Sequence, residues 1–387
     1  MQHFTHTLKL TAAALAGTLL ISSASHAATD TPPRARDLGI PFTGTTGPLN
    51  AITDVSGLEV GHTTVIEGDT VRTGVTTVFP LGKQNPRGVR AAVSTINGTG
   101  EVTGAHMVKE LGVMFGPVML TNTWSIGTVR NGYLNWVKAN QPEGLRVLFS
   151  LPVIAETSDE GLNDIYGMHV TEKHVADALS GAAGGPVKEG NVGGGTGMQA
   201  YGFKGGIGTA SRQITLDDKT YTFGVLVQAN HGDMKNLRIG GVPAGQLLID
   251  AAQKPSGRGS DVKNSLIVVI ATDLPFRADQ LERLARRGAL GLGRTGAVGT
   301  NVSGDFVIAL STQNPTSFEA RETTSNVAFT AFGDMDKIFQ ATVEAVEEAL
   351  INQLVASEDM TANGMTVNRL PHKKLQAVLS ARGALVK

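Results

Sequence analysis

Apolar and polar residues alternate along the chain in two periods, and the period indicates which segments are strands and which are helices. Short β-branched runs bounded by turn residues predict strands. These runs span residues 58–60, 74–79, 91–96, 147–153, 205–211, 221–228, 266–271 and 305–311. Apolar residues that recur at helical spacing predict helices. The helices span residues 104–111, 129–139, 169–179, 277–290 and 335–356, the last with Asp334 as its N-cap.

The order of these elements predicts the fold class. Strands come in runs and helices in separate runs, which favours a layered α+β sandwich over a doubly wound parallel sheet. Residues 28–50 are rich in Pro, Thr and Gly and predict an extended arm before the first packed strand. The polar, Gly-rich loop 256–263 is the natural nicking site of an otherwise continuous unit.

The N-terminal 27 residues have the features of a secretory signal. Lys9 supplies the positive region, residues 10–21 form the apolar stretch, and Ser25-His26-Ala27 has the small-x-small pattern of a cleavage site. We therefore expect a mature chain that begins at Ala28 and is periplasmic or secreted. A retained N-terminal anchor is the alternative. No later segment offers the roughly 20 continuous apolar residues of a membrane span, so membrane insertion is not expected.

Composition bears on several classes of chemistry. The chain has no cysteine, which excludes disulfides, a thiolate nucleophile and a cysteine metal site. A formal net charge of −1 without a basic run gives no support for nucleic-acid binding. The histidines after residue 27 lack HExxH or His-x-His spacing, which disfavours a zinc site.

A glycine cluster at residues 190–197 resembles a phosphate cradle at first sight. It lacks the GK[ST] ending of a P-loop and the strand–GxGxxG–helix context of a dinucleotide fold. A tight turn that holds backbone close to an active centre is therefore the preferred interpretation. No GxSxG elbow occurs either, so an ordinary α/β-hydrolase triad has no support.

Ser265 is the main candidate for a catalytic residue, because it lies between the Gly-rich loop and the apolar run 266–271. If the bond between Asn264 and Ser265 were cut, Ser265 would become an N-terminal nucleophile whose own α-amine could act as the base. The alternative interpretation is that Ser265 only starts a strand.

Three further positions could assist such a nucleophile. Ser303 and Asp305 precede a strand that could pair beside the one beginning at Ser265, where they could relay or orient a proton. Asn230 closes a strand and could offer its amide to an oxyanion. Glu156 follows the strand 147–153 and could hold a substrate ammonium. The alternatives are that Ser-Gly-Asp is a common turn, that Asn230 is a turn residue at a strand end, and that Glu156 lies in a solvated acidic loop.

Taken together and in order, these segments resemble the family of L-aminopeptidase/D-esterases and β-peptidyl aminopeptidases. The resemblance spans nearly the whole mature chain. It rests on residues 34–40, 52–55, 60–62, 71–76, 121–123, 125–127, 156–157, 162–164, 190–198, 203–208, 227–230, 270–273 and 303–305.

The resemblance implies a four-layer αββα sandwich that looks like N-terminal-nucleophile hydrolases with different connectivity. It implies self-cleavage between Asn264 and Ser265 into a part 28–264 and a part 265–387. In the implied mechanism Ser265 is the nucleophile, its freed α-amine is a candidate base, and Ser303 and Asp305 assist the proton relay. Which of these groups is the base stays open. The same mechanism has Asn230 stabilise the oxyanion and Glu156 clamp the substrate's N-terminal ammonium. A homotetramer of αβ pairs is implied, and no metal or organic cofactor.

Several alternatives stay open at this point. The substrate is a β-amino-acyl peptide, an L-amino-acyl peptide or amide, or a D-amino-acyl ester or amide. An acyltransferase of the ornithine-acetyltransferase type has a similar fold and cleaves itself at a threonine, so Ser265 weighs against it. A non-catalytic periplasmic binding protein on the same scaffold is the third possibility. The cleavage loop, 255–264, is short, which bears on selectivity.

Overall fold

The computed structural model describes residues 32–140, 151–249, 264–317 and 326–386 together with Met1. Two large β-sheets with helices on their outer sides form the framework of this part, and two short two-stranded sheets accompany them. Residues 2–27 of the expected secretory signal, residues 28–31 of the expected arm and the loop 256–263 lie outside the described residues. The strands are β1 (Glu59–Glu67), β2 (Val71–Phe79), β3 (Gly88–Gly98), β4 (Val113–Met114), β5 (Val118–Asn122), β6 (Val153–Thr157), β7 (Gln199–Ala200), β8 (Phe203–Lys204), β9 (Gly206–Leu216), β10 (Lys219–Asn230), β11 (Ser265–Thr272), β12 (Gly304–Thr316), β13 (Met360–Ala362) and β14 (Met365–Val367). The helices are α1 (Ala105–Leu111), α2 (Ile126–Asn140), α3 (Glu172–Ser180), α4 (Ala244–Leu248), α5 (Ala278–Arg294), α6 (Met335–Ala356) and α7 (His372–Ser380).

The first sheet has the strand order β1-β2-β5-β6, and the second has the order β4-β3-β12-β11-β10-β9. In the second sheet β11 pairs in parallel with β12 and antiparallel with β10. Helices α2 and α3 cover the outer face of the first sheet through a cluster that includes Val129, Trp136 and Val175. Helices α5 and α6 cover the outer face of the second sheet.

The inner faces of the two sheets meet in a continuous apolar core. On β11 the odd-numbered residues Ile267 and Val269 join this core, whereas Leu266 and Val268 pack on the helix side. A strand buried on both faces reads as an unbroken apolar run, which is what residues 266–271 show. The layers are therefore helix, sheet, sheet and helix, and the predicted four-layer αββα sandwich is confirmed.

Two local predictions were wrong. The strand expected to end at Val153 begins there, so that Glu156 lies inside β6 and not in a loop after it. The preceding Pro152 has no backbone N–H and suits the start of a strand, while 147–150 lie outside the described residues. Asp334 occupies the N-cap position of α6, but its carboxylate accepts from the amine of Lys337 at 2.9 Å and makes no side-chain cap bond.

Part of the expected extended arm is tightly fixed. Its residues Ala35–Leu38 form a 3₁₀ turn, and Arg36 forms a two-bond ion pair with Glu348 of α6 at 2.7 and 2.8 Å. Arg212 of β9, buried, reaches the same carboxylate at 2.7 Å and Glu344 at 3.6 Å. Burial alone would raise the pKa of Glu348, but these arginines and Asn50 outweigh it and lower that pKa. We call these residues, Arg36, Arg212, Glu344 and Glu348, the arginine–glutamate cluster.

Candidate active site

Ser265 is the first residue of β11 and lies in the middle of the six-stranded sheet. It pairs with Asn230 at the end of β10 and with Gly304 at the start of β12. Because side chains alternate along a strand, Ser265 faces the same side as Ile267, toward the first sheet. The Ser265 side chain is buried, with 4% of the residue exposed. A central strand of a packed sheet therefore fixes the backbone of the candidate nucleophile.

The bond between Asn264 and Ser265 is held from the side of β12. The N–H of Gly304 donates to the carbonyl oxygen of Asn264 at 3.2 Å and to Oγ of Ser265 at 3.4 Å. The side-chain amide of Asn264 donates to Oγ1 of Thr300 at 3.1 Å. A backbone N–H aimed at a carbonyl oxygen stabilises negative charge that develops there during attack on the carbonyl carbon.

The N–H of Gly304 is a donor that no sequence motif predicts. In the Ser-Gly-Asp turn, the sequence points only to the hydroxyl of Ser303 and the carboxylate of Asp305. The signal for the glycine itself was present but indirect, since it depended on β11 and β12 pairing so that Ser265 lies opposite Gly304. A methyl group at Gly304 would meet the backbone of Thr99 at 2.6 Å, so the turn requires glycine.

Ser303 and Asp305 form a pair in which Oγ of Ser303 donates to Oδ1 of Asp305 at 2.6 Å. Burial raises the pKa of the Asp305 carboxyl, and the hydrogen bonds from Ser303 and the backbone of Leu266 partly offset that rise. No direct hydrogen bond joins this pair to the hydroxyl of Ser265 within the described residues. The pair instead lies against the backbone of β11, next to the junction.

Asn230 is placed beside Ser265 on the same face of the sheet. Its Oδ1 accepts from the backbone N–H of Gln199 at 2.8 Å, which fixes the orientation of the amide and assigns its NH₂ to the opposite side. Gln228, two residues earlier and on the same face, donates to the carbonyl of Thr121 on β5 at 2.9 Å. Asn230 is therefore oriented through its oxygen and lies opposite Ser265 in the register of β10 and β11.

Glu156 approaches the same region from the first sheet, 3% exposed. Its Oε1 accepts from the backbone N–H of Glu101 at 3.1 Å, and its Oε2 accepts from the hydroxyl of Thr123. Gly100 separates it from β12, because a methyl group there would lie 2.9 Å from Oε1 and 3.2 Å from the Cα of Gly304. A buried carboxylate in this position suits a substrate ammonium.

The glycine cluster 190–197 packs against β10 and β5 beside this region. Gly193–Gly195 form a 3₁₀ turn, and any side chain at Gly194 would collide with Gln228. This agrees with the preferred interpretation of a turn that brings backbone close to the candidate site. The amine of Lys204, which sequence reasoning did not single out, is fully buried and donates to the carbonyls of Gly195 at 3.2 Å and Gly205 at 2.6 Å. Burial lowers the pKa of Lys204 to about 7.

The structure thus places Ser265 beside Asn230 and Gly304 on neighbouring strands of the second sheet. Glu156 of the first sheet is linked to Gly304 through Gly100, which lies between them. The catalytic roles of the candidate residues stay predictions. In the parts of the chain that the structure describes, no group of three or more His, Asp or Glu side chains is placed to hold a metal ion. Across those same parts, none of the helices combines the length and the apolar character needed to cross a membrane.

Comparison with known proteins gives the family. The model of peptidase family S58 matches residues 50–367. The chain is 50% identical to the β-peptidyl aminopeptidase BapA of Sphingosinicella xenopeptidilytica over 386 residues, which is 94% of this chain and 95% of the relative. It is 45% identical to the BapA of Sphingosinicella microcystinivorans, over 97% of each chain.

A solved structure is similar over most of the chain. The L-aminopeptidase D-Ala-esterase/amidase of Ochrobactrum anthropi, described as a variant of the Ntn hydrolase fold, superposes with a TM-score of 0.85. It is 44% identical and covers 92% of this chain and 100% of its own. A Burkholderia β-aminopeptidase superposes with a TM-score of 0.83 at 40% identity, covering 91% and 99%. The chain is therefore an aminopeptidase and belongs to peptidase family S58.

Proposed function

We propose that this aminopeptidase is made as an exported precursor that cuts itself between Asn264 and Ser265. The parts 28–264 and 265–387 then form one enzyme, which releases N-terminal residues from peptides or amino-acyl amides and esters through an acyl-Ser265 intermediate. The observation that carries the proposal is the position of Ser265 at the start of a central strand, with the carbonyl of Asn264 held by the N–H of Gly304 at 3.2 Å.

The proposed self-cleavage has two steps. Oγ of Ser265 attacks the carbonyl carbon of Asn264, and the N–H of Gly304 stabilises the oxyanion. The C–N bond breaks as the hydroxyl proton passes to the nitrogen of Ser265, which leaves an ester and a free α-amine. Water then hydrolyses the ester, giving the carboxylate of Asn264 and restoring the hydroxyl of Ser265.

Turnover reuses the same hydroxyl with a new base. The freed α-amine of Ser265, with an ordinary pKa of about 7.7–8.0, takes the hydroxyl proton as Oγ attacks the substrate carbonyl. Ser303 and Asp305 assist the proton relay, and Asn230 stabilises the oxyanion. Glu156 binds the substrate's α- or β-ammonium, which restricts cleavage to the N-terminal residue. The amine or alcohol product leaves, and water hydrolyses the acyl-Ser265 ester.

The names of the relatives support the proposed substrate classes. Two curated relatives are named β-peptidyl aminopeptidases, which supports β-amino-acyl peptides as substrates of this chain. The Ochrobactrum anthropi protein is named for L-aminopeptidase and D-Ala-esterase/amidase activity, which supports L-amino-acyl amides and D-amino-acyl esters as further substrates. We expect a homotetramer of αβ pairs in the periplasm or outside the cell.

Replacement of Ser265 by alanine tests the proposal. We expect Ser265→Ala to stay a single chain without turnover, because it lacks the group that attacks either carbonyl. The wild type should give two polypeptides by intact-mass analysis, the smaller beginning Ser-Leu-Ile-Val. Ser94→Ala, at a partly exposed serine of β3, is the control and should behave as wild type. A fully active single chain, or self-cleavage in Ser265→Ala, would contradict the proposal.

A further inference from the structure

A small cavity lies beside the junction, on the side where α5 ends. Its volume is about 20 Å³, which is room for a single water molecule. Among its lining residues are His231, Asn264, Ala297, Thr300, Ser303 and Asp305. The cavity therefore touches both the residue whose carbonyl is attacked in self-cleavage and the Ser303–Asp305 pair.

His231 is the unexplained group in this cavity. It follows Asn230 directly, and 2% of the residue is exposed. Neither of its ring nitrogens has a hydrogen-bond partner among the described residues, although the ring packs edge-on against Tyr201 with 5.0 Å between centroids. Burial lowers the pKa of His231 to about 3, so the ring is neutral, with one N–H donor and one acceptor nitrogen. Buried polar atoms of this kind are normally paired with protein or with ordered water.

The rest of the cavity wall is also polar. Oγ1 of Thr300 accepts a hydrogen bond from the side-chain amide of Asn264 at 3.1 Å, and Oγ of Ser303 donates to Oδ1 of Asp305 at 2.6 Å. A buried water requires two to four polar partners in a polar site, and the imidazole, hydroxyl and carboxylate groups supply them. The site thus has both the size and the chemistry of a water site.

We propose that this cavity binds the water that hydrolyses the Asn264–Ser265 ester during self-cleavage, and that His231 is its positioning residue. The proposal rests on the self-cleavage argued above. The water oxygen bonds to the carbonyl carbon of Asn264 as the bond from that carbon to Oγ of Ser265 breaks. One water proton ends on Oγ, and the proton of the new carboxylic acid passes to the freed α-amine.

His231 acts through the water and contacts neither the ester nor the substrate. Its removal should therefore leave the first step, ester formation, largely intact and slow only the hydrolysis. The ester would then accumulate in the uncut population. This behaviour separates a positioning role from a structural one, since a general loss of packing has no reason to trap one intermediate.

The test follows self-cleavage of the full-length precursor in two different variants. His231→Ala removes the imidazole, and Ala297→Leu fills the cavity while keeping His231. We expect each to slow cleavage by about tenfold, equivalent to about 1.4 kcal/mol of activation free energy. Each should also build up a species that hydroxylamine cleaves, with the hydroxamate of Asn264 found by mass spectrometry. His231→Gln, which keeps a donor and an acceptor, should restore part of the rate.

Two controls fix the meaning of the result. Ser265→Ala should give no hydroxamate, and His372→Gln, a histidine of α7 that does not line the cavity, should cleave at the wild-type rate. If His231→Ala does not fold, Ala297→Leu decides the matter. Cleavage at the wild-type rate, or slow cleavage without hydroxamate, overturns the inference. A wild-type chain that never cleaves itself would instead overturn the proposed function.

Discussion

Asn230 shows how a single side chain is prepared for one role. Its oxygen accepts from the N–H of Gln199 at 2.8 Å, which leaves the NH₂ as the donor of this amide, and its backbone pairs with that of Ser265. We expect Asn230→Ala to lower kcat by about 10²–10³-fold, since removal of one oxyanion donor costs roughly 3–4 kcal/mol. Steady-state kinetics on the cleaved fraction measures this loss.

The matched control for Asn230 is Asn135→Ala, at an exposed asparagine of α2 that is bonded to Glu172. It should leave kcat unchanged. If Asn230→Ala raised KM alone and left kcat intact, the side chain would be binding substrate and transition state equally.

The raised pKa of the Asp305 carboxyl predicts an unusual acid limb in the pH dependence of kcat/KM. Burial raises this pKa above the ordinary value of about 3.9, so the ionised form is lost at a higher pH than for an exposed aspartate. Below the pKa of the α-amine, log(kcat/KM) should fall with a slope of about one. Once Asp305 also becomes protonated, the slope should approach two.

Asp305→Asn removes that second titration. Its rate should be lower throughout, and its acid limb should keep a slope of about one down to the pH at which the protein unfolds. If log(kcat/KM) of the wild type and of Asp305→Asn had the same slope along the whole acid limb, the carboxylate of Asp305 would have no part in the rate.

The positions of Ser265 and Asn230 at strand ends could be predicted from sequence because each borders an apolar run, although their catalytic roles stay predictions. The donors that come from backbone could not be predicted. The N–H of Gly304 acquires its role from the register between β11 and β12. His231 belongs to no sequence motif. It is distinguished only in the structure, where both of its ring nitrogens are buried with no hydrogen-bond partner among the described residues.

At the scale of elements, the arginine–glutamate cluster ties the N-terminal 3₁₀ turn to α6 and β9. Glu348→Ala would leave Arg212, 1% exposed, without the carboxylate that lies 2.7 Å away. We expect a loss of about 3 kcal/mol in the free energy of unfolding, because the buried Arg212 would keep only the more distant carboxylate of Glu344, at 3.6 Å. Urea denaturation measures the loss.

An exposed ion pair provides the comparison. Lys173 and Asp177 are 2.6 Å apart on α3, with 79% and 48% of their side chains exposed. Asp177→Ala should change the free energy of unfolding by no more than about 0.5 kcal/mol. A Glu348→Ala variant as stable as Asp177→Ala would mean that water reaches Arg212 and solvates it.

Helix bounds were predicted better than strand bounds. Helix α6 spans the predicted 335–356, because apolar residues at helical spacing persist over its whole length. The predicted strand 147–153 shares only Val153 with the observed strand β6, because an apolar run does not determine where strand pairing begins. The start of β6 depends on Val153 pairing with Val118 of β5, a contact between residues far apart in sequence.

At the scale of the whole molecule, the proposed cut separates two pieces that both contribute strands to the six-stranded sheet. Strands β11 and β12 belong to the part 265–387 and lie between β3 and β10, which belong to the part 28–264. We expect the cut protein to elute as one species in size exclusion and to unfold in a single transition, because both pieces contribute to the core between the sheets and to the core under α5 and α6.

Ser265→Ala, which should stay uncut, is the reference for that experiment. It should elute at the same volume as the wild type and differ only on a denaturing gel. Separation of the two pieces in buffer without denaturant would show that the sheet does not hold them together.

The layered sandwich could be predicted from the order of elements together with the family resemblance. Strand neighbours could not be read from the order alone, since β3 pairs with β12 across most of the chain. The pairing of β3 with β12 depends on how their apolar faces pack in three dimensions, and the local pattern of apolar and polar residues does not determine it.

The interleaved sheet also determines how such an enzyme has to be supplied. Made separately, either piece would carry long unpaired strand edges, which are templates for aggregation. Under the proposed self-cleavage, translation as a single polypeptide delivers both pieces in equal number, and the cut follows once their strands have paired. No surplus of one half would then be produced.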